Sequence, residues 1–258
     1  MGLIGSLDIA AHYVGSQSVS KVYRGSNVIF DAFSPTSISG LQLWLDASDS
    51  STITLNGSTV SQWNDKSGND YHVSQGTASN QPTYVESALN SKNTVRFDGA
   101  GDGLINTIDT PVGGSTNRTV FVVFNFTAFI GPKYALTLGY NGGALGTAFG
   151  ISQEIAVRVG DGNRLFNTSV DTTHAIVTIM LDGTSTTDLS AWKNGSSLGV
   201  SSTVTRTINT SSGIGIGRSN GGAYLQGDVA EVIVYNSALS TSDRESVEDY
   251  LSGKWGIS

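Results

Sequence analysis

From Leu41 to Tyr235 the chain repeats one pattern. Short runs rich in Val, Ile, Thr, Phe and Tyr are bounded every few residues by Gly, Asn, Asp or Ser. Runs of this kind are strands closed by turns, and their close spacing suits antiparallel sheets rather than helical crossovers. Leu41, Leu43 and Leu45 alternate on one face, as does Thr94-Val-Arg-Phe-Asp98. Thr119-Val-Phe-Val-Val-Phe-Asn-Phe-Thr127 and His174-Ala-Ile-Val-Thr-Ile-Met-Leu-Asp182 are apolar at nearly every position. Such runs predict central strands covered on both sides. Further strands are expected at 135–140, 148–152, 154–159, 213–218 and 227–235. Leu189 to Leu198 reads as a hairpin whose Asn194-Gly195 pair forms a type I′ turn. One helix is expected. Ser240 or Ser242 caps it, Asp243 or Glu245 completes a capping box, and Val247, Tyr250 and Leu251 share a face. Gly253 is expected to terminate it, leaving Trp255 and Ile257 to pin the chain end to the sheets. The expected fold is an all-β antiparallel sandwich of jelly-roll type with a short C-terminal helix.

Residues 1–34 read differently. Val19 to Asp31 is two short β-type runs around a Gly-Ser-Asn turn, which predicts an N-terminal β-hairpin arm. An isolated hairpin is marginally stable in water, so it must dock on something. It either adds strands to the main domain or meets a partner chain through Val19, Val22, Tyr23, Val28 and Phe30. Residues 35–40 form a polar linker, and 41–258 form the sandwich domain.

Composition removes several functions. The 258 residues carry 14 Lys+Arg against 21 Asp+Glu, a net charge of −7, with no basic cluster. A nucleic-acid partner needs a cationic face that releases counterions, so none is expected. No cysteine is present, which excludes a disulfide framework, a thiolate zinc site and a thiol nucleophile. The longest apolar run, Val120–Phe124, falls far short of the ~20 residues of a membrane span. The opening residues have neither a basic segment nor a long apolar stretch, so no Sec leader is expected.

Candidate chemistry is sparse. Glycoside hydrolysis needs two carboxyls about 5–5.5 Å or about 6.5–9.5 Å apart. Asp228 and Glu231 lie three apart on one predicted strand, so a regular strand points them to opposite faces. Asp46 and Asp49, with Asp65 and Asn69, offer oxygen ligands for calcium; the same residue types also build turns. Residues 46–109 hold eight acids against three bases, which keeps a cation there as the alternative to turn-building. Trp63 and Trp192 can stack on a sugar or, like Trp44 and Trp255, fill the core. Three glycine-bearing loops present better ligand groups: Tyr140 and Asn141; Asp161, Asn163 and Arg164; and Asn220 and Tyr224.

The ordered set Leu43-Trp44-Leu45-Asp46-Ala47-Ser48-Asp49, Gln62-Trp63-Asn64-Asp65-Lys66-Ser67-Gly68-Asn69, Val95-Arg96-Phe97-Asp98-Gly99, Ile214-Gly215-Ile216-Gly217-Arg218 and Gly227 to Tyr235 resembles the laminin-G-like, concanavalin A-like lectin/glucanase superfamily. The resemblance runs from Gly40 to Ser258 and implies a concanavalin A-like sandwich. It does not imply a ligand, because the superfamily holds binders, hydrolases and structural modules. The acidic pattern of its glucanases, Glu-x-Asp-x-x-Glu, is not met, since Gln226 stands in the first acidic position. Thr173 precedes His174 where members often have Trp. The segment Lys21–Asp31 is similar to short β elements of tailed-phage virion proteins. Together these resemblances imply a non-catalytic phage virion component, a head decoration or fibre or a tail fibre or adhesin. It would present a lectin-like domain to glycans and sit with other virion proteins as a homo-oligomer, a trimer by expectation. No cofactor is expected beyond calcium. The alternatives are a carbohydrate-binding module of a bacterial surface or secreted protein, and a glycoside hydrolase.

Overall fold

The structure is a computed structural model that describes residues 13–14, 17–18, 21–24, 27–31, 33–107, 110–127, 133–139, 149–152, 156–159, 162–166, 169–170, 172–199, 213–219 and 222–258. The strands are β1 (Tyr13–Val14), β2 (Gln17–Ser18), β3 (Lys21–Arg24), β4 (Asn27–Asp31), β5 (Leu41–Asp46), β6 (Ile53–Asn56), β7 (Thr59–Trp63), β8 (Val73–Ser74), β9 (Thr83–Leu89) and β10 (Lys92–Asp98). There follow β11 (Leu104–Asn106), β12 (Arg118–Phe124), β13 (Tyr134–Leu138), β14 (Phe149–Ser152), β15 (Ala156–Val159), β16 (Gly162–Leu165), β17 (Ala175–Leu181), β18 (Leu189–Lys193), β19 (Ser196–Ser197), β20 (Ile214–Ile216), β21 (Gln226–Tyr235) and helix α1 (Thr241–Trp255).

Every described pairing between strands is antiparallel, and the strands form two layers. In the first, β21 carries β12 along one edge and both β10 and β5 along the other, with β17, β18 and β19 beyond β12. In the second, the order is β6-β7-β8-β11-β20-β13-β14-β15-β16. The pairing closes on itself, because β9 pairs with β10 and also meets β7 at Thr83–Thr59. Side chains alternate across each strand, so each layer has an inner face. Leu43, Leu45, Val120, Val122, Val177, Val232 and Val234 meet Trp63, Val73, Leu104, Leu136, Leu138, Ile214 and Ile216 there in one buried core.

The first layer is also covered outside. Phe121, Val123, Ile176, Ile233 and Tyr235 pack beneath Val247, Leu251 and Trp255 of α1 and beneath Ile257. This explains why β12 is buried at all seven positions, as its continuous apolar run predicts. The helix begins at Ser240, whose hydroxyl accepts from Asp243 N–H. It does not stop at Gly253 as expected. It runs on to Trp255 and ends where Gly256 takes the left-handed conformation at φ 66°, so that Trp255 is seated while still helical. The Asn194-Gly195 turn has φ 49° and 74°, both left-handed, as a type I′ turn requires.

The arm hairpin is present: Val22 pairs with Phe30 and Tyr23 with Val28 in a two-stranded sheet of its own. The linker after it is not a loose tether. Pro35 is buried and its carbonyl accepts the Tyr235 hydroxyl at 2.8 Å, while Phe33 and Ile38 pack against the outer cluster.

Candidate functional site

Two polar regions are built differently. One is a cleft of about 330 Å³ beside the paired strands β8 and β11, lined by His72, Ser74, Gln75, Gly76, Ile105, Asn106 and Thr107. Its groups are held from behind. The Asp65 N–H donates to His72 Nδ1 at 3.0 Å, which fixes the neutral tautomer with its proton on Nε2. That Nε2 lies 3.8 Å from Asp70 Oδ1, beyond hydrogen-bond reach of it. Asn106 Nδ2 donates to the His72 carbonyl at 3.1 Å. Gln75 is buried and engaged at both ends: Nε2 donates to Gly103 O and Oε1 accepts from Thr77 N–H. Ile105 supplies an apolar surface among these groups, and among the described residues none of the lining side chains is an acid or a lysine or arginine.

The second region is saturated with charge. Glu231 and Asp46 stand directly opposite each other on β21 and β5. Glu231 accepts from Trp44 Nε1 at 2.7 Å, Trp255 Nε1 at 2.6 Å and Tyr250 Oη at 2.9 Å. Lys254 Nζ lies 2.8 Å from Glu231 Oε2 and 2.7 Å from Asp46 Oδ1. Lys66 Nζ bridges Asp46 Oδ2 at 3.0 Å and Asp49 at 2.7 Å. Burial pushes the Glu231 carboxyl upward against the pull of Lys254. Burial also acts to raise Asp46, but the Lys254 and Lys66 ammoniums and Ser48 bring it below the usual carboxylate range.

This geometry accounts for the acids proposed for calcium. The Lys66 ammonium bridges Asp46 and Asp49, and the Lys254 ammonium sits against the other oxygen of Asp46. Asp65 is surrounded by donors instead: its carboxylate accepts from the N–H groups of Trp44, Ser67 and Tyr71. Asn69 donates to the carbonyls of Leu41 and Gln42. These four residues fasten the 65–71 loop to β5. Among the described residues no group of three or more His, Cys, Asp or Glu could hold a metal ion.

Asp228 and Glu231 do not point to opposite faces. Register shifts between Val123 and Phe124, which pair with Glu231 and Val229, leaving Ala230 as an extra residue on β21. Val229 and Val232 lie in the inner core and Ala230 in the outer cluster. The bulge therefore turns Asp228 and Glu231 to the same outer face. Both carboxylates are engaged by partners. Asp228 is held bidentately by Arg96, with Nε–Oδ1 2.6 Å and Nη2–Oδ2 2.8 Å, and Glu231 by the indoles and Lys254. His174 Nε2 lies 3.7 Å from Asp228 Oδ2; burial lowers its pKa and the Arg96 charge adds to that, against the pull of Asp228.

Trp63 is fully buried in the inner core, and Trp192 is half-buried beneath the Arg244 guanidinium at 4.4 Å, so neither offers an open face. Tyr224 forms a bridge with Arg218 and lies 5.2 Å beneath its guanidinium. Asn163 and Arg164 fall on β16, paired with Arg158 and Val157. Tyr140, Asn141, Asp161, Asn220 and Val19 lie outside the described residues, as do the side chains of Val22, Tyr23, Val28, Phe30, Asn163 and Arg164. Sequence reasoning missed the cleft. Its signal was weak: His72 after a turn, and two short strands whose polar residues are far apart in the chain.

The layered antiparallel sheets with one covering helix define an antiparallel β-sandwich of jelly-roll type. Solved structures share it at low identity. The sialidase of Trypanosoma rangeli is 19% identical with a TM-score of 0.55, over 84% of this chain and 33% of that one. Domain 4 of AbnA, a GH43 extracellular arabinanase from Geobacillus stearothermophilus, solved with arabinotriose, is 12% identical with a TM-score of 0.53, over 79% of this chain and 95% of that one. The binding domain of Paraclostridial Mosquitocidal Protein 1 is 12% identical with a TM-score of 0.55, over 83% and 52%. The chain thus spans about a third of the sialidase's length. No protein-family model matches the sequence, and no curated protein matches it.

Proposed function

We propose that this chain is a non-catalytic, lectin-like module that binds a neutral glycan in the His72–Thr107 cleft and is displayed on a phage virion by its N-terminal hairpin. The cleft carries the reading. Its hydroxyl, amide and imidazole groups around one apolar residue suit sugar hydroxyls and a ring C–H face, and none of the described residues that line it is a carboxylate. The candidate carboxylates elsewhere are tied up by Arg96, Lys254 and indole N–H groups, which argues against hydrolysis. The hairpin forms a separate sheet rooted through Phe33, Pro35 and Ile38, as a fastening arm requires. Many copies on one particle would raise a weak affinity by avidity. Removing residues 1–32 is expected to abolish particle incorporation while leaving the sandwich folded; incorporation that survives removal of the arm contradicts the virion role.

A second reading, a carbohydrate-binding module of a secreted bacterial protein, is favoured by one observation. The arabinanase domain of similar fold is matched over nearly its whole length and was solved with a bound trisaccharide. Glycan binding without any dependence on a particle would select it.

A further inference from the structure

We infer that Lys254 and Asp46 are poised to condense into an intramolecular isopeptide bond, with Glu231 as the proton carrier. Three features place the reaction there. The amine nitrogen and the carboxyl oxygen are 2.7 Å apart. The carboxylate of Glu231 is 2.8 Å from the same nitrogen and stands directly across the sheet from Asp46. All three side chains are enclosed, with exposures of 13% for Lys254, 5% for Asp46 and 0% for Glu231. The walls are Trp44, Trp255 and Tyr250, whose polar atoms all donate to Glu231. Exclusion of water favours amide over acid, and a held pair reacts far faster than free groups do.

The atoms balance as a dehydration. The Lys254 ammonium passes one proton to Asp46 Oδ1. The freed lone pair forms a bond to Cγ as the carbonyl π pair moves onto Oδ2. That oxygen faces the Lys66 ammonium at 3.0 Å, which stabilises the charge developing on it. Glu231 takes a proton from the nitrogen and returns it to Oδ1. The pair on Oδ2 reforms the carbonyl, the C–Oδ1 bond breaks, and water leaves. Ser48, which donates to Oδ1 from both N–H and Oγ, holds the departing oxygen. The product is a secondary amide tying the first strand of the sandwich to its last helix. No oxidant, metal or second enzyme is needed. A covalent tie between the two ends of the domain suits a module that bears load on a particle or outside a cell.

The test is intact-mass spectrometry of the purified, folded full chain. The expected mass is lower than that of the sequence by one water, with trypsin unable to cut after Lys254 and one branched peptide joining the segments that contain Asp46 and Lys254. Lys254→Arg keeps the ion pair and the fold and is expected to restore the unmodified mass. Glu231→Gln is expected to restore it in whole or in large part while the chain still folds. A wild-type chain that is folded by circular dichroism yet has its full sequence mass after prolonged incubation overturns the inference. So does a water loss that persists in Lys254→Arg.

Discussion

The two polar regions teach different lessons about what polar groups do in a sandwich. Around Glu231 the charged groups are paired, and strand β5 and helix α1 both send donors to its one carboxylate. Around His72 the lining groups carry no formal charge among the described residues, and several of them are anchored to backbone groups behind them. Charge ties elements of the fold together around Glu231, whereas the proposed recognition cleft is lined by uncharged groups among the described residues. Low charge content, only 14% of residues, is consistent with this division.

The division can be broken most severely at Glu231. Glu231→Ala leaves two indole N–H groups and the Tyr250 hydroxyl without their acceptor and Lys254 with one carboxylate fewer, and removing one partner of such a buried pair costs about 3–5 kcal/mol. Urea unfolding should show a midpoint shift of that size, with saccharide binding by the remaining folded protein unchanged. His72→Ala should do the reverse. It removes one backbone hydrogen bond, at about 1 kcal/mol of stability, while removing a ligand donor lowers affinity roughly tenfold in calorimetric titration.

A third test concerns pH. Asp98 and Asp102 face each other across a tight turn. Burial and the neighbouring Asp98 charge push Asp102 up to about 6, although its carboxylate accepts the Asp98 N–H at 3.0 Å. An acid raised by folding favours the native state while it is protonated. Its contribution is full below the ordinary value near 3.8 and is lost as pH rises through about 6. Stability should therefore decline over that window, and Asp102→Asn should flatten the decline in unfolding measured from pH 4 to 7. Asp98 acts oppositely. Burial pulls it up, but the N–H groups of Ala100, Gly101 and Asp102 outweigh that and hold it low, so its contribution fades only in more acidic solution. The smallest effect expected is at Ser240, where loss of the helix cap by Ser240→Ala costs about 1 kcal/mol and shifts the melting temperature by a few degrees.

Much of the scaffold is legible in the sequence, because hydrophobic periodicity is local. The apolar run at β12, the Asn-Gly turn and the Ser240 cap are each set by neighbouring residues. What escapes is set by contacts distant in the chain. Nothing in Gln226–Tyr235 announces an extra residue at Ala230, yet that bulge decides which face Asp228 presents. The helix outruns Gly253 because burying Trp255 outweighs the low helix propensity of one glycine. Asp46 is paired by Lys66 and Lys254, one of them from the other end of the chain, and nothing near Asp46 in the sequence announces the second. The cleft requires β8 and β11 to pair, and no motif marks either strand.

The central claim is that the His72–Thr107 cleft is the recognition face. The most direct test is a titration of the isotope-labelled chain with a panel of neutral oligosaccharides, followed by amide chemical shifts. We predict that at least one saccharide shifts residues 72–76 and 105–107 together, and that His72→Ala suppresses the response. Shifts confined to the Arg218–Tyr224 loop, or no response to any saccharide, would contradict the claim.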